Sequence, residues 1–215
     1  CAAGPGLRVR LGSLEPRTIT EDFCRRAAAL PNLCPHFHLS LQSGCDATLA
    51  RMNRKYDTAR YYESVRLLRE FFSDPGITTD LITGFPGETE AEFAQTLEFV
   101  KSCAFTAMHV FPYSRRPGTP ADTMPGQVPT VEKEARARQA IALGAELERS
   151  WLERQVGRVL PVLFEEEKDG LWQGHAPNYA LVRAQGDGLH NRLPDVEITG
   201  VEGAALLGTV LRSGG

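Results

Sequence analysis

The hydrophobic pattern of the first half of the chain alternates between short apolar runs and amphipathic stretches. Apolar runs at 8–14, from His36, at 77–83 and at 107–111 have the length of strands. Between them apolar residues recur at helical spacing, and each run ends in a polar, glycine-rich or proline-rich turn. This order predicts an α/β domain in which parallel strands are joined by right-handed helical crossovers, as in part of a (β/α) barrel.

Local signals place the helices between these strands. Thr20 and Asp46 are predicted to cap two of them, and Thr89 a third through a capping box with Glu92. A longer helix from about Thr58 carries an apolar stripe of the kind that packs on a sheet. The stripe consists of Tyr61, Val65, Leu68 and Phe72.

The pattern changes after Pro125. A long helix is predicted at 130–155, and we interpret it as a connector whose contact residues are Ile141, Leu143, Leu147 and Trp151. Beyond it, short strands separated by Asp-Gly and Glu-Gly turns are typical of a small closed barrel, because closure removes exposed edges. The predicted strands are 159–164, 171–175, 179–184, 195–201 and 205–211.

We therefore predict the fold class α/β, with a partial barrel of parallel strands at 1–126. A connector helix at 127–155 and a small all-β barrel at 156–215 follow. With 215 residues, 42% hydrophobic and 24% charged, the chain has an ordinary globular composition. Its net charge of -3 argues against a globally basic nucleic-acid binder, although local basic clusters could still bind phosphate.

The start of the chain and the length of its apolar runs indicate where in the cell the protein is expected. The chain begins Cys-Ala-Ala-Gly-Pro-Gly, without an initiating Met or a signal peptide. No apolar run approaches the roughly 18 residues of a membrane span. We therefore expect a cytoplasmic protein, with no membrane partner, whose N-terminal part lies outside this sequence.

The five cysteines are predicted to be ordinary reduced thiols. None is separated from the next by the two or three residues that place several thiolates around one metal site. An odd number in a chain without a signal peptide also argues against a disulfide framework. The five are Cys1, Cys24, Cys34, Cys45 and Cys103, of which Cys45 alone adjoins a proposed ligand turn.

Five motifs, taken in order, resemble the second half of the radical S-adenosylmethionine methylthiotransferases. They are Arg-Leu-Gly-Ser-Leu-Glu-Pro at 10–16, His-Leu-Ser-Leu-Gln-Ser-Gly at 38–44, Met-Asn-Arg-Lys-Tyr at 52–56, Thr-Asp-Leu-Ile-Thr-Gly-Phe-Pro-Gly-Glu at 79–88 and Tyr-Ser-Arg-Arg-Pro-Gly-Thr-Pro-Ala at 113–121. The tail resembles the TRAM module that ends these enzymes. The Gly-Ser-Leu-Glu-Pro and Asn-Arg-Lys-Tyr parts of two motifs are most similar to the branch that modifies N6-threonylcarbamoyladenosine beside the tRNA anticodon.

The resemblance implies a radical SAM barrel and a reaction that depends on cofactors. In the family, a 4Fe-4S cluster held by Cys-x-x-x-Cys-x-x-Cys cleaves S-adenosyl-L-methionine, and the resulting radical removes hydrogen from C2 of adenine. A second 4Fe-4S cluster takes part in sulfur delivery. The implied partners are the tRNA anticodon stem-loop and a reductant. Because the cysteine triplet is absent from this sequence, we expect the chain alone to be inactive.

Other functions remain open at this point. The acceptor could instead be isopentenyladenosine in tRNA or an aspartate of a ribosomal protein. The segment could also be a non-catalytic module that binds RNA or another partner.

Polar and glycine residues at the ends of the predicted strands form the candidate site. For contact with S-adenosyl-L-methionine we name Ser13, Glu15, Gln42, Ser43, Arg54, Asp80, Gly84 and Gly87. Carboxylate and amide oxygens can bind its hydroxyl or amino groups, and arginine can bind a carboxylate. The alternative for each is structural: a capping carboxylate, a turn stabilised by its own side chains, an exposed arginine or, for Asp80, a buried partner.

A second set combines aromatic rings with cations, as in proteins that bind nucleotides and their phosphates. For contact with RNA we name Tyr113, Ser114, Arg115, Arg116, His175, Asn178, Tyr179 and Arg183. Arg158, Lys168, His190 and Arg192 could extend this surface. A solvated loop or a protein-docking barrel is the structural alternative. For His36, His38 and His109 we expect packing or hydrogen bonding rather than metal binding, and we assign no catalytic residue and no metal ligand.

Overall fold

The computed structural model describes residues 7–211, and the described part contains two sheets. The first is parallel, with strands β1 (Ser13–Leu14), β2 (His36–Leu39), β3 (Gly76–Thr83) and β4 (Ala107–Pro112) in sequence order. The intervening helices are α1 (Glu21–Ala28), α2 (Asp46–Arg51), α3 (Thr58–Phe71) and α4 (Glu90–Cys103). Parallel neighbours joined by helices in this order form part of a (β/α) barrel, as predicted.

The core of this region lies between the sheet and its outer helices. Along β3, Ile77, Thr79 and Leu81 are fully buried on the helix side, while Asp80 and Ile82 point to the opposite face. The predicted apolar stripe on α3 is buried against this side, which confirms the interpretation of that helix. The second face of the sheet is therefore free to carry polar side chains.

Two of the predicted helix caps are confirmed and one is wrong. The Thr20 hydroxyl accepts a hydrogen bond from the Phe23 amide, and Thr89 and Glu92 form the predicted capping box. Asp46 is instead the first residue of α2, and its carboxylate accepts a hydrogen bond from the Thr58 amide at 2.7 Å. A carboxylate at this place joins the starts of two consecutive helices.

The first predicted strand, 8–14, is shorter in the structure. Only two residues of it form β1, and Val9 makes an isolated bridge with Leu33. Strand β1 ends at a 3-10 turn over Pro16–Thr18.

The long helix α6 (Thr130–Glu153) follows the short helix α5 (Pro120–Thr123) and packs on β3, β4 and α4. Of the predicted contact residues, Trp151 is buried and Leu143 and Leu147 are partly buried, but Ile141 is exposed. The helix also buries Lys133 against the first sheet's turns. It therefore covers the parallel sheet as well as connecting the two regions, which the connector interpretation did not anticipate.

The second sheet has six strands in the order β5-β9-β10-β8-β7-β6. Their bounds are β5 (Val159–Pro161), β6 (Leu163–Lys168), β7 (Leu171–His175), β8 (Leu181–Gln185), β9 (Asp195–Glu202) and β10 (Ala205–Val210). The edge strands β5 and β6 are separated in sequence by Val162 alone. The two edges of the sheet are therefore adjacent, and the sheet closes into a small barrel. Within 7–211, no helix has the length and apolar character needed to cross a membrane.

Candidate functional site

A cavity of about 600 Å³ lies at the carboxyl ends of the parallel strands. Its polar lining comes from Gln42 after β2, Arg54 after α2 and Asp80 on β3. Phe85 and Phe111 supply aromatic walls. The volume is within the range of about 300–1,000 Å³ that is usual for small-molecule sites.

Gln42 is held at the cavity by its backbone. Its amide donates to the Asp80 carbonyl at 2.9 Å, and its carbonyl accepts from the Ile82 amide at 2.9 Å. The backbone has φ 71, the left-handed region that non-glycine residues rarely adopt. Such strain costs free energy and is concentrated at functional sites, so this geometry supports a role for Gln42 in the cavity.

Two polar atoms at the cavity have no hydrogen-bond partner among the described residues. They are Nε of Arg54 and the hydroxyl of Tyr113, both buried from solvent. The ring of Tyr113 packs edge-on against Phe85 at 5.3 Å between centroids, and its carbonyl accepts from Nζ of Lys133 at 3.0 Å. Leaving a buried polar atom unpaired is costly, but Arg51, Arg136 and Trp151, which do not line this cavity, also have one, so these atoms do not by themselves indicate a ligand.

Asp80 faces the inner side of the sheet, as the alternation of β3 predicts. Its Oδ2 lies 3.2 Å from Nε2 of His38, and Nδ1 of His38 lies 3.0 Å from Oγ1 of Thr78. The partner of Asp80 is thus His38. His36 and His38 form hydrogen bonds, as expected, and burial lowers the pKa of His36 to about 4.

Several residues named for cofactor contact lie outside the cavity lining, and their assignment stays a prediction. The Ser43 hydroxyl is fully buried and lies 3.3 Å from the Thr96 hydroxyl of α4. A side chain at Gly84 would collide with Lys133, and one at Gly87 would meet Arg51. Ser43 therefore ties β2 to α4, and the two glycines allow neighbouring elements to approach closely.

Ser13 and Glu15 stand at the end of β1, outside the cavity lining. Both are exposed, and neither side chain forms a hydrogen bond within the described part of the chain. Glu15 is close enough to Tyr56 to raise its pKa, although burial is the larger cause. A role for Ser13 and Glu15 in binding the cofactor stays a prediction.

Glu88 neither caps α4 nor reaches the cavity. Its carboxylate accepts from the Gly84 amide at 2.6 Å and from Arg136 of α6 at 2.9 Å. The side chains of Glu88 and Arg136 are 1% and 7% exposed, so this is a buried ion pair. Burial raises the pKa of Glu88, and the two hydrogen bonds oppose that rise. The pair fixes α6 to the glycine-rich turn after β3.

The mouth of the cavity carries part of the predicted RNA-binding set. Ser114 and Arg116 are exposed and line the opening with Tyr113. Arg116 forms no ion pair within 7–211, whereas Arg115 is bound to Asp122 at 2.9 Å. The Arg116 guanidinium and the Tyr113 ring therefore lie at the opening, and the assignment of the ion-paired Arg115 to RNA contact stays a prediction.

The four candidate residues of the small barrel all have contacts within the described chain, although Tyr179 is exposed. Asn178 is buried, with its side chain bonded to Gln155 and to the Ala180 amide, so its assignment to RNA contact is wrong. Tyr179 stacks on His175 at 4.4 Å between ring centroids.

Tyr179 also contacts the parallel-sheet region. Its ring lies 4.8 Å from that of His36, and the guanidinium of Arg10 lies 4.1 Å from its centroid. Arg183 pairs with Glu202 at 3.7 Å, and His175 with Glu165 at 2.6 Å. Tyr179 therefore contacts both regions, and carboxylates lie beside the Arg183 guanidinium and the His175 ring.

The described residues do not suit an iron-sulfur cluster. No group of three or more His, Cys, Asp or Glu within 7–211 is arranged to hold a metal ion. The four cysteines described are Cys24, Cys34, Cys45 and Cys103, all buried, and Cys1 lies outside the described residues. Burial raises the pKa of Cys103 to about 12, so this thiol remains protonated.

Sequence reasoning missed the apolar wall of the cavity and the inner-face histidine. Ile82, Phe85 and Phe111 line the cavity but were not named, and His38 was named only for packing or hydrogen bonding. The period of two along β3 and β4 could have found two of them, because Ile82 pairs with Phe111 in the register of the sheet.

Comparison with known proteins identifies the first region. The family model of the Radical SAM superfamily matches residues 3–100. Coproporphyrinogen III oxidase from Escherichia coli, described as a radical SAM enzyme, has a TM-score of 0.54 over 79% of this chain and 46% of its own. At 16% identity that likeness concerns the fold alone. The parallel sheet is thus a partial radical SAM barrel.

Curated relatives are much closer in sequence. Proteins named tRNA-2-methylthio-N(6)-dimethylallyladenosine synthase are 42% identical over 189 residues in Acidothermus cellulolyticus and 41% over 207 residues in Streptomyces avermitilis. These alignments cover 85% and 92% of this chain, but 38% and 39% of the relatives. The relative from Frankia alni is 42% identical over 95% of this chain and 43% of its own length. The chain spans about two fifths of the relatives that it matches.

Proposed function

We propose that this chain, a partial radical SAM barrel followed by a small β-barrel, is part of a tRNA methylthiotransferase. The names of its relatives support this class of reaction. The observation that carries the proposal is the cavity at the carboxyl ends of the strands, which combines the polar side chains of Gln42, Arg54 and Asp80 with an aromatic wall. Open α/β sheets bind ligands at this end of their strands.

The proposed acceptor is an adenosine of tRNA that carries an N6-dimethylallyl group, also called isopentenyl. The threonylcarbamoyladenosine branch that two motifs suggested is not supported, since the relatives from Acidothermus, Streptomyces and Frankia are all named for the dimethylallyl nucleoside. The isopentenyl alternative is therefore preferred. The hydrophobic wall formed by Ile82, Phe85 and Phe111 suits an apolar substituent on the base.

The cavity residues have the chemistry to hold S-adenosyl-L-methionine. When bound, this cofactor supplies a methyl group and a source of the adenosyl radical. Asp80 can accept hydrogen bonds from hydroxyl or ammonium groups, and Arg54 can donate to a carboxylate. Gln42 offers both a donor and an acceptor. The aromatic side chains of Phe85 and Phe111 exclude water from the bound molecule.

The mouth of the cavity is suited to the nucleic acid. Tyr113 presents a face on which a base can stack, and Arg116 can neutralise a phosphate. Ser114 can donate to a phosphate oxygen from the same loop. These three residues belong to the cavity lining at its mouth, so a bound anticodon loop would place one base at the opening.

The cluster that the radical SAM family uses does not fit the described residues of this chain, and no step is assigned to it. We therefore propose that residues 7–211 supply cofactor and RNA contacts, and that the cluster ligands come from elsewhere in the protein. A prediction follows that this chain alone does not modify tRNA.

The test compares two acceptors with the full reading frame that encodes this chain. The protein is produced anaerobically with its clusters and incubated with S-adenosyl-L-methionine, a sulfide source and a reductant. One tRNA carries N6-dimethylallyladenosine, and the other carries N6-threonylcarbamoyladenosine. Mass spectrometry of digested nucleosides should detect methylthio addition only on the first.

Each other outcome contradicts part of the proposal. Modification of the threonylcarbamoyl nucleoside would restore the branch first suggested by the motifs. Modification of a ribosomal protein would overturn tRNA as the acceptor. Retained tRNA binding without any modified product would favour a non-catalytic RNA-binding module.

A further inference from the structure

A line of hydrogen-bonded side chains crosses the inner face of the parallel sheet. It begins at Arg10, whose Nη1 lies 3.4 Å from Nδ1 of His36. Nε2 of His36 lies 3.3 Å from Oγ1 of Thr78, which in turn lies 3.0 Å from Nδ1 of His38. Nε2 of His38 lies 3.2 Å from Oδ2 of Asp80. The line connects the contact with the small barrel to the cavity.

When both rings are neutral, the two ends of this line determine where every proton lies. The guanidinium of Arg10 can only donate, so Nδ1 of His36 accepts and the proton of a neutral ring is on Nε2. That N–H donates to Thr78, whose own hydroxyl proton is then directed to Nδ1 of His38. The remaining N–H of His38 donates to the carboxylate of Asp80, which can only accept when ionised. Each donor meets one acceptor, and both rings carry their proton on Nε2.

The environment of His36 agrees with this assignment. The residue is 2% exposed, and burial lowers its pKa to about 4, with Arg10 and two neighbouring histidines as smaller causes. The ring is therefore neutral at pH 7. Thr78 is 8% exposed, so water has little access to compete for its hydroxyl. A buried hydrogen-bond line with every member satisfied favours a single arrangement.

We propose that His38 is a positioning residue for Asp80. Thr78 holds His38 in its Nε2–H tautomer, and His38 fixes Oδ2 of Asp80, which leaves Oδ1 as an acceptor for a hydroxyl or ammonium group in the cavity. His38 is absent from the cavity lining and acts through Asp80. The identity of the ligand rests on the proposed function, whereas the tautomer of His38 does not.

The chain offers a matched control in His109. It lies on the same inner face, directly opposite Asp80 in the register of β3 and β4. Its ring centroid is 6.1 Å from that of His38, and it forms no hydrogen bond within the described part of the chain. The same substitution at His38 and at His109 therefore distinguishes the effect of losing a histidine from the effect of breaking the hydrogen-bonded line.

The first test measures the tautomers by NMR of the whole chain with 15N-labelled histidine at pH 7. His36 and His38 should each show one tautomer with the proton on Nε2. In Thr78→Val, which removes the hydroxyl at nearly constant shape, His38 should become a mixture while His109 is unchanged. A proton on Nδ1 of His38, or a mixture in the unsubstituted chain, would overturn the proposal.

The second test measures binding of S-adenosyl-L-homocysteine to the whole chain by calorimetry. Asp80→Asn should weaken binding by roughly tenfold or more, since a hydrogen bond to a charged group is lost. His38→Gln should weaken it about three- to tenfold, and His109→Gln by less than about twofold. Thr78→Val provides a second variant if His38→Gln does not fold.

The outcomes separate this inference from the proposed function. Equal effects of His38→Gln and His109→Gln would remove the positioning role. If the unsubstituted chain does not bind the probe, cofactor binding by these residues fails. The tautomers from the NMR experiment then decide alone whether His38 is held as described.

Discussion

The parallel sheet and the small barrel differ in where their polar side chains lie. On the inner face of the parallel sheet polar groups converge on one cavity, and Arg54 and Tyr113 each keep a buried atom without a partner in the described chain. In the small barrel the interior is filled by apolar residues such as Val182 and Phe164. Its candidate residues His175 and Arg183 lie beside carboxylates of the barrel, and Asn178 is hydrogen-bonded to Gln155.

This difference shows which polar residues indicate a ligand. A charged or aromatic residue on a strand is informative when the fold brings it to a cavity and leaves part of it unsatisfied. Asn178 and Tyr179 have the composition of an RNA-binding surface, but they join the barrel to the sheet. The predictions below test the comparison by disturbing first the sheet, then the contact between the regions, and finally the cavity mouth.

The largest expected effect concerns the buried pair of Glu88 and Arg136 in the parallel-sheet region. Arg136→Ala leaves the Glu88 carboxylate buried without its charged partner, which should cost about 3–5 kcal/mol of stability. The measurement is the free energy of unfolding in urea. Arg149→Ala is the control on the same helix, because Arg149 pairs with Glu153 at an exposed site and should cost about 0–1 kcal/mol.

A double variant sharpens this test. Replacing both charges, as in Glu88→Gln with Arg136→Met, removes the unpaired charge and should recover part of the lost stability. If Arg136→Ala costs no more than Arg149→Ala, the pair does not hold α6 to the turn after β3.

The second prediction concerns acid stability and depends on His36. Its pKa is lowered from 6.5 to about 4 by burial, with smaller contributions from Arg10, His38 and His175. Between these two pH values the unfolded chain binds a proton that the folded chain does not. Stability therefore rises with pH across this window, is complete above pH 6.5 and falls as pH drops toward 4, by up to about 3 kcal/mol.

Urea unfolding at a series of pH values checks this expectation. His36→Gln should flatten the curve between pH 4 and 6.5, whereas His190→Gln, on the exposed surface of the barrel, should leave its slope unchanged. An unchanged slope in His36→Gln would mean that another group is responsible for the acid sensitivity.

Much of the parallel sheet could be predicted from the sequence because its signals are local. The stripe on α3, the capping box at Thr89 and the alternation along β3 each depend on residues a few positions apart. These signals predict a helix or strand, and which of its faces is buried, without information about the residues that it contacts.

The site predictions that the structure does not support concern contacts between residues far apart in the chain. Ser43 is bonded to Thr96, and the approach of Lys133 explains why position 84 is glycine. Glycine after a strand has the same local appearance whether it admits a ligand or a neighbouring helix. The sequence contains no local signal that distinguishes the two, so Gly84 and Gly87 were assigned to the cofactor.

The third prediction disturbs the contact between the two regions. A side chain at Gly76, the first residue of β3, would overlap the backbone carbonyl of Asn178 in the barrel. Because that carbonyl belongs to the backbone, Gly76→Ala should force the barrel away from the sheet and cost about 1–3 kcal/mol. Calorimetry should then resolve separate transitions for the two regions.

Gly200→Ala is the matched control for this substitution. Gly200 lies on β9 of the barrel and has no atom within 4 Å of an added Cβ. Its replacement should keep a single transition. If Gly76→Ala behaves in the same way, the contact at Asn178 does not hold the regions together.

The smallest expected effect concerns the two adjacent arginines at the cavity mouth. Arg116 is free of ion pairs in the described chain, whereas Arg115 is bound to Asp122. Arg116→Ala should weaken binding of an anticodon stem-loop about three- to tenfold and reduce the salt dependence by about one phosphate contact. Arg115→Ala should have less effect on binding, because its charge is already partly neutralised. Fluorescence anisotropy at several salt concentrations measures both quantities.

The two arginines also test the comparison between the two regions, since Arg183 in the barrel, like Arg115, is paired with a carboxylate. If RNA is bound at the mouth of the sheet, Arg183→Ala should resemble Arg115→Ala and not Arg116→Ala. A larger loss from Arg183→Ala would place the phosphate contacts on the barrel. The unpaired polar atoms of the cavity would then serve the cofactor alone, and the base would have to reach them from a surface on the other region.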